Sequence, residues 1–156
     1  MKTAIVLIFL SFTAIAGWTQ DTSSPESTAR EVLRLISSGQ EDWEQFRSLF
    51  VASATFSVVS DQNGLRTTTF ALEDFVRIFL NAEERSFTEK ELRVESHQFH
   101  GIAQVWQTFE VSMNGNKHRG INALQMVYHN DRWWITNVIW TNETSDISIP
   151  DRYLPH

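Results

Sequence analysis

The spacing of apolar and polar positions changes character along the chain: three helical stretches with one short strand pair among them up to about residue 84, then alternation from Phe87 onward. Ala29, Val32, Leu33 and Ile36 recur at three- and four-residue intervals and share one helical face, and Gly39 ends the run. Ser23-Ser24-Pro25-Glu26 is a helix start, with Pro in the first turn and Glu three residues after Ser23. Trp43, Phe46, Leu49 and Phe50 predict a second, shorter helix over 41–50, and Leu72, Phe75, Val76, Phe79 and Leu80 a third over 72–84. Between these two helices, 54–60 and 65–70 read as strands around the turn Asp61-Gln62-Asn63-Gly64.

Turns at His100-Gly101, Asn114-Gly115 and Asn130-Asp131 cut the remainder into a four-stranded antiparallel meander. Its last hairpin, GINALQMVYHNDRWWITNVIW over 120–140, is apolar on both faces, so both faces need covers. Two-residue loops at all three turns pair Tyr128 with Trp133, Met126 with Ile135 and Leu124 with Asn137. They also pair Gln107 with Asn122, Phe109 with Gly120, Val94 with Gln107 and Leu92 with Phe109. Because side chains alternate, one face then carries the amides Gln107, Asn122 and Asn137 among Phe109, Leu124 and Trp133. The other carries Glu91, Arg93, Glu95 and His97 near one edge, then Trp106, Trp134, Val138 and Trp140. One bulge would reverse these assignments along a whole strand. Helices first and a long meander last predict an α+β domain with helices packed on one sheet face.

Composition narrows the possibilities. The 156 residues suffice for one domain, 26–156, preceded by a leader over 1–20. Lys2, the apolar run 4–15 and the small-x-small triplet Ala14-Ile15-Ala16 form a secretory signal peptide, with cleavage after Ala16 or Gln20. The run is too short for a membrane span, so a secreted or periplasmic protein with no span after leader removal is expected. Lys2 is the leader's only charge, and its loss takes the formal net charge from −6 to −7. That balance, with no basic patch, argues against nucleic acid as a partner. The absence of cysteine excludes disulfides, thiol nucleophiles and cysteine-ligated metals. The five histidines, His97, His100, His118, His129 and His156, fall on edges and loop ends, so no metal site and no cofactor is expected. Asn142-Glu143-Thr144 is a glycosylation sequon that only a eukaryotic secretory host would use.

Two N-terminal helices, a hairpin, a third helix and a long meander resemble the nuclear transport factor 2-like superfamily. The ending, HRGINALQMVYHNDRWWITNVIW followed by Ile149-Pro150-Asp151-Arg152-Tyr153, resembles its SnoaL-like branch. The likeness spans about 26–153 and implies a cone-shaped fold with a cavity between helices and sheet. Gln107, Asn122 and Asn137 would then be polar groups on an apolar pocket wall with Phe109, Leu124 and Trp133. Enzymes of the superfamily, such as ketosteroid isomerase, use an interior Asp base, but every Asp here falls at a turn, helix surface or tail, and Glu91, Glu95 and Glu110 read as outward. No catalytic residue is carried over. The first expectation is therefore a non-catalytic exported domain binding a small apolar or amphipathic molecule. The alternatives are an isomerase or dehydratase-like enzyme on a cyclic or polyketide-like substrate, and an interaction module whose cavity is filled by Phe46, Phe75 or Phe79. The outward cluster of Trp106, Trp134, Val138 and Trp140 predicts a homodimer through that face, unless the tail with Ile149, Tyr153 and Leu154 covers it.

Overall fold

Ser24, rather than Ser23, caps the first helix. The computed structural model describes residues 20–37, 39–61, 64–81 and 86–155, and in it α1 spans Pro25–Ile36. The Ser24 hydroxyl accepts from the Ser27 amide while the Ser27 hydroxyl accepts from the Ser24 amide, two otherwise orphaned donors satisfied by one serine pair. Glu26 is thereby left to bond the Ser96 hydroxyl. A short α2 (Trp43–Ser48) follows, capped by Asp42, and then β1 (Phe50–Ser60), β2 (Arg66–Ala71) and α3 (Leu72–Leu80). Phe50, expected in the second helix, opens β1 instead. The long strands are β3 (Phe87–Phe99), β4 (Ile102–Met113), β5 (Asn116–His129) and β6 (Arg132–Asn142). A short 3₁₀ turn at Asp151–Tyr153 sits in the tail. The predicted leader over 1–20 lies outside the described residues except for Gln20, and no helix among those described is long and apolar enough to cross a membrane.

The six strands form one sheet in the order β2-β1-β6-β5-β4-β3, antiparallel except for the parallel pair β1 and β6. All three predicted two-residue turns are present. His100, Asn114, Asn130 and Asp131 have φ values of +52°, +51°, +51° and +57°, the left-handed geometry that tight hairpins require. Helix α1 is pinned along β3 at three levels: Glu26 to Ser96, Arg30 to Glu91 at 3.0 Å, and the Glu89 amide to the Ser37 hydroxyl at 3.0 Å. Behind it, Phe46, Phe50, Phe56 and Phe75 pack ring on ring, with centroids 4.2 to 6.2 Å apart, and fill the deep end of the concave face.

Two strands carry one residue too many, and both expected registers change there. In β3, Glu91 pairs with Phe109 and Arg93 with Thr108, so Leu92 is extra and the expected Leu92–Phe109 pair does not form. In β6, Met126 pairs with Ile135 and Gln125 with Asn137, so Thr136 is extra and Leu124 faces Val138 rather than Asn137. Each bulge reverses the faces on one side of it. Glu89 and Glu91 turn inward. Val138 and Trp140 exchange sides with Asn137, which bonds Thr55 through Nδ2 (2.8 Å to Oγ1) on the outer face. The tail crosses that outer face beside β4: Tyr153 stacks on Trp106 at 5.4 Å, and its carbonyl accepts from the Thr108 hydroxyl at 2.7 Å.

Gly120 sits where Phe109 crosses β5. A Cβ there would lie 2.5 Å from the Phe109 ring and 2.5 Å from the Thr141 carbonyl oxygen, and the latter is backbone that cannot step aside. Gly120→Ala is therefore expected to destabilise the fold by about 1–3 kcal/mol in urea titration, the range for overpacking a filled site. A variant as stable as the parent would contradict this packing.

Candidate functional site: the concave cavity

A cavity of about 230 Å³ opens between the C-terminal half of α1, α3 and the end of the sheet nearest the β4–β5 turn. Its wall is largely aromatic: Phe56, Phe75, Phe79, Phe87, Phe109 and Trp140. The local sequence explains the arrangement. Val32 and Ile36 come from the apolar stripe of α1, and Phe75 and Phe79 from successive turns of α3. Phe109 is turned inward over the side-chain-free Gly120, and Trp140 is brought in by the β6 bulge.

Few polar groups enter this wall. Glu89 is the one carboxylate among the described lining residues, and no Lys or Arg is among them. It keeps some accessible surface yet is closely surrounded by protein, and among the described residues its carboxyl has no hydrogen-bond or ion-pair partner. Loss of hydration penalises the charged form, and burial alone pushes this carboxyl up to about 8. At neutral pH it is a protonated acid, able to donate one hydrogen bond into the cavity. Two residues on, Glu91 has partners for both carboxyl oxygens. Arg30 Nε lies 3.0 Å from one of its oxygens and Gln107 Nε2 donates to the other at 3.0 Å. Gln107 in turn accepts from Asn122 Nδ2 at 3.4 Å, completing a chain from the surface of α1 to the cavity wall. His118 and Asn142, both exposed, complete the mouth; His118 pairs with Val111 across the sheet, as Val111 does with Glu89.

The expected pocket residues are thus divided. Asn122 and Phe109 line the cavity, and Gln107 is fully buried just behind it. Leu124 and Trp133 are buried in the core towards the deep end, away from the cavity wall. Asn137 lies on the opposite face. Of the four residues expected outside, Trp106 and Trp134 are there, Trp106 beneath the tail and Trp134 under the Arg132 guanidinium at 4.1 Å, whereas Val138 and Trp140 line the cavity. The residue that strict alternation misses is Glu89. With Leu92 and Val94 inward, alternation sends Glu89 and Glu91 outward, and only an extra residue between Glu91 and Arg93 brings them in. The signal available was Phe87, Glu89 and Glu91 alternating with Thr88 and Lys90. Among the described residues no three His, Asp or Glu side chains gather into a metal site.

No protein-family model and no curated protein matches the chain. Solved structures do. The chain is similar to an NTF2-like protein of unknown function from Shewanella baltica OS155 (17% identity, 77% of this chain and 94% of that one, TM-score 0.54). It is also similar to a suspected dehydratase of the NTF2-like family from Streptomyces avermitilis (13%, 80% and 97%, TM-score 0.60). A third similar structure is the CaMKII hub of S. rosetta (12%, 76% and 93%, TM-score 0.59). The chain has the nuclear transport factor 2-like fold, as its sequence resemblance implied.

Glu89 makes stability depend on pH. The folded protein holds this proton more tightly than the unfolded chain, so the contribution is complete below about pH 4.5 and is lost as pH rises through about 8. Chemical denaturation should show stability falling across that window, with a slope approaching about 1.4 kcal/mol per pH unit. Glu89→Gln should flatten it. The same slope in the variant would assign the effect elsewhere.

Proposed function

We propose that the domain binds a small, mainly apolar molecule in the concave cavity and works as an exported binding protein rather than a catalyst. The observation that carries the reading is an aromatic cavity of about 230 Å³ whose few polar groups, above all Glu89 and Asn122, converge on it without filling it. Apolar walls with a small number of placed hydrogen-bonding groups are the usual make-up of ligand sites. The aromatic residues that could have filled the whole concavity do so only at the deep end. The signal peptide over 1–20 supports export, and Gln20, bonded through its side chain to the Gln45 carbonyl and the Ser48 hydroxyl, favours cleavage after Ala16 over cleavage after Gln20.

A second reading is favoured by Glu89 alone. A carboxyl poised near neutral pH in a largely apolar cavity is suited to general acid–base chemistry, which fits an isomerase or dehydratase-like reaction on a cyclic substrate. The likeness to a suspected dehydratase points the same way. Self-association is the third element. The outer face still presents Trp134, Ile121 and the 40%-exposed Ile139, and the likeness to a hub is compatible with pairing there.

A thermal-shift screen of the secreted, leader-free protein against fatty acids, steroids and aromatic metabolites tests the binding reading. At least one class should raise the melting temperature, and Val111→Trp, which plugs the cavity mouth, should remove that shift while the protein stays folded. No stabilisation by any class would rule the reading out. Turnover of a cyclic substrate that Glu89→Gln abolishes, with binding retained, would replace it with the enzymatic one. For the outer face, light scattering should report a dimer that Trp134→Lys dissociates; a monomeric parent would exclude pairing.

A further inference from the structure

The lining of the cavity restricts the ligand further than apolar character does. Six aromatic side chains line the same cavity as a carboxyl that no protein group pairs with among the described residues. An anionic ligand would find no cation on the described wall to receive it. A neutral ligand would leave the carboxyl protonated and use it as a single donor. A cation would use both features, because aromatic faces attract ammonium groups most strongly where water is excluded, and an ion pair gains most in the same place. Resting on the binding function proposed above, we propose that the cavity takes a small organic cation, an apolar amine or quaternary ammonium of roughly eight to ten non-hydrogen atoms, since about 230 Å³ holds roughly eight water-sized units of about 30 Å³ and bonded atoms pack closer than water. Its charge lies against Glu89 and its alkyl or aryl groups lie against Phe75, Phe79, Phe109 and Trp140.

The surroundings of Glu89 leave that role to it. On its own strand, the charge of Glu91 is already taken by Arg30 from α1 and by Gln107 from β4. Helix α1 otherwise presents Val32 and Ile36, α3 presents Phe75 and Phe79, and β4 presents Val111 and Met113. From β5 come Asn122 and the exposed His118, the one other titratable group on the described wall, and from β6 Trp140 and Asn142.

Proton balance makes the idea measurable. The empty site holds a protonated carboxyl at neutral pH, so a fixed cation must displace that proton to solvent as it binds, and a neutral ligand need not. Phenyltrimethylammonium and its carbon isostere tert-butylbenzene are matched probes with no titration of their own. Calorimetry on the leader-free protein at about pH 6.5, in two buffers of different ionisation enthalpy, should show close to one proton released per phenyltrimethylammonium and none with tert-butylbenzene. Affinity for the cation should rise about tenfold per pH unit up to the carboxyl's own range and then level off. Glu89→Gln should abolish the proton release and weaken the cation at least tenfold above that range, leaving tert-butylbenzene unchanged. Binding of tert-butylbenzene as tight as that of the cation, with no proton released by the wild-type protein, would overturn the cation assignment and leave the apolar pocket standing. Failure of both probes and of every compound in the thermal screen would remove both.

Discussion

Alternation along a strand is rigid: one inserted residue turns every side chain beyond it to the other face. The concave cavity depends on two such insertions. Leu92 in β3 delivers Glu89 and Glu91 to the inside, and Thr136 in β6 delivers Val138 and Trp140. Without the first, the wall would have no carboxyl; without the second, it would lose its indole and gain an amide that now serves the outer face. The bulges flank the sheet on opposite sides of β4 and β5, whose own pairing is regular from Ile102 to Met113.

The two inward glutamates illustrate how placement sets chemistry. They stand two residues apart on one face of one strand, roughly 6–7 Å along the backbone at about 3.3 Å per residue. Glu91 is charge-paired with Arg30, and its remaining capacity is used by Gln107, so it ties helix to sheet and positions Asn122. Glu89 has neither partner and faces rings. One is structural because its charge is satisfied; the other is available because its charge is not. The same logic separates Trp106, on which Tyr153 of the tail stacks, from the half-buried Trp134, over which the Arg132 guanidinium lies.

Most of the architecture was legible in the sequence, because it rests on local signals. The three hairpin turns, the apolar stripes of α1 and α3, and the pairing of Gln107 with Asn122 follow from turn chemistry and periodicity. The capping pair was displaced by one residue because Ser23 and Ser24 are both competent caps, and it is Ser24 that pairs with Ser27. The site was legible only in part. Bulges have weak sequence signals, since Leu92 and Thr136 are unremarkable strand residues, and parity counting carried the error from each bulge to the end of its strand. Glu91, Val138, Trp140 and Asn137 were all assigned to the wrong face for that reason, while Gln107, Asn122 and Phe109, on strands without an insertion, were not.

The central claim is that an uncompensated carboxyl faces an apolar cavity. Carbon-13 NMR of the glutamate side-chain carboxyls, with the Glu89 resonance assigned by its loss in Glu89→Gln, measures this directly. The account predicts that the Glu89 carboxyl titrates at about 8. A Glu89 resonance that titrates in the ordinary carboxylate range near 4.5 would mean that the carboxyl is hydrated or paired, and the cavity would lose the chemistry assigned to it.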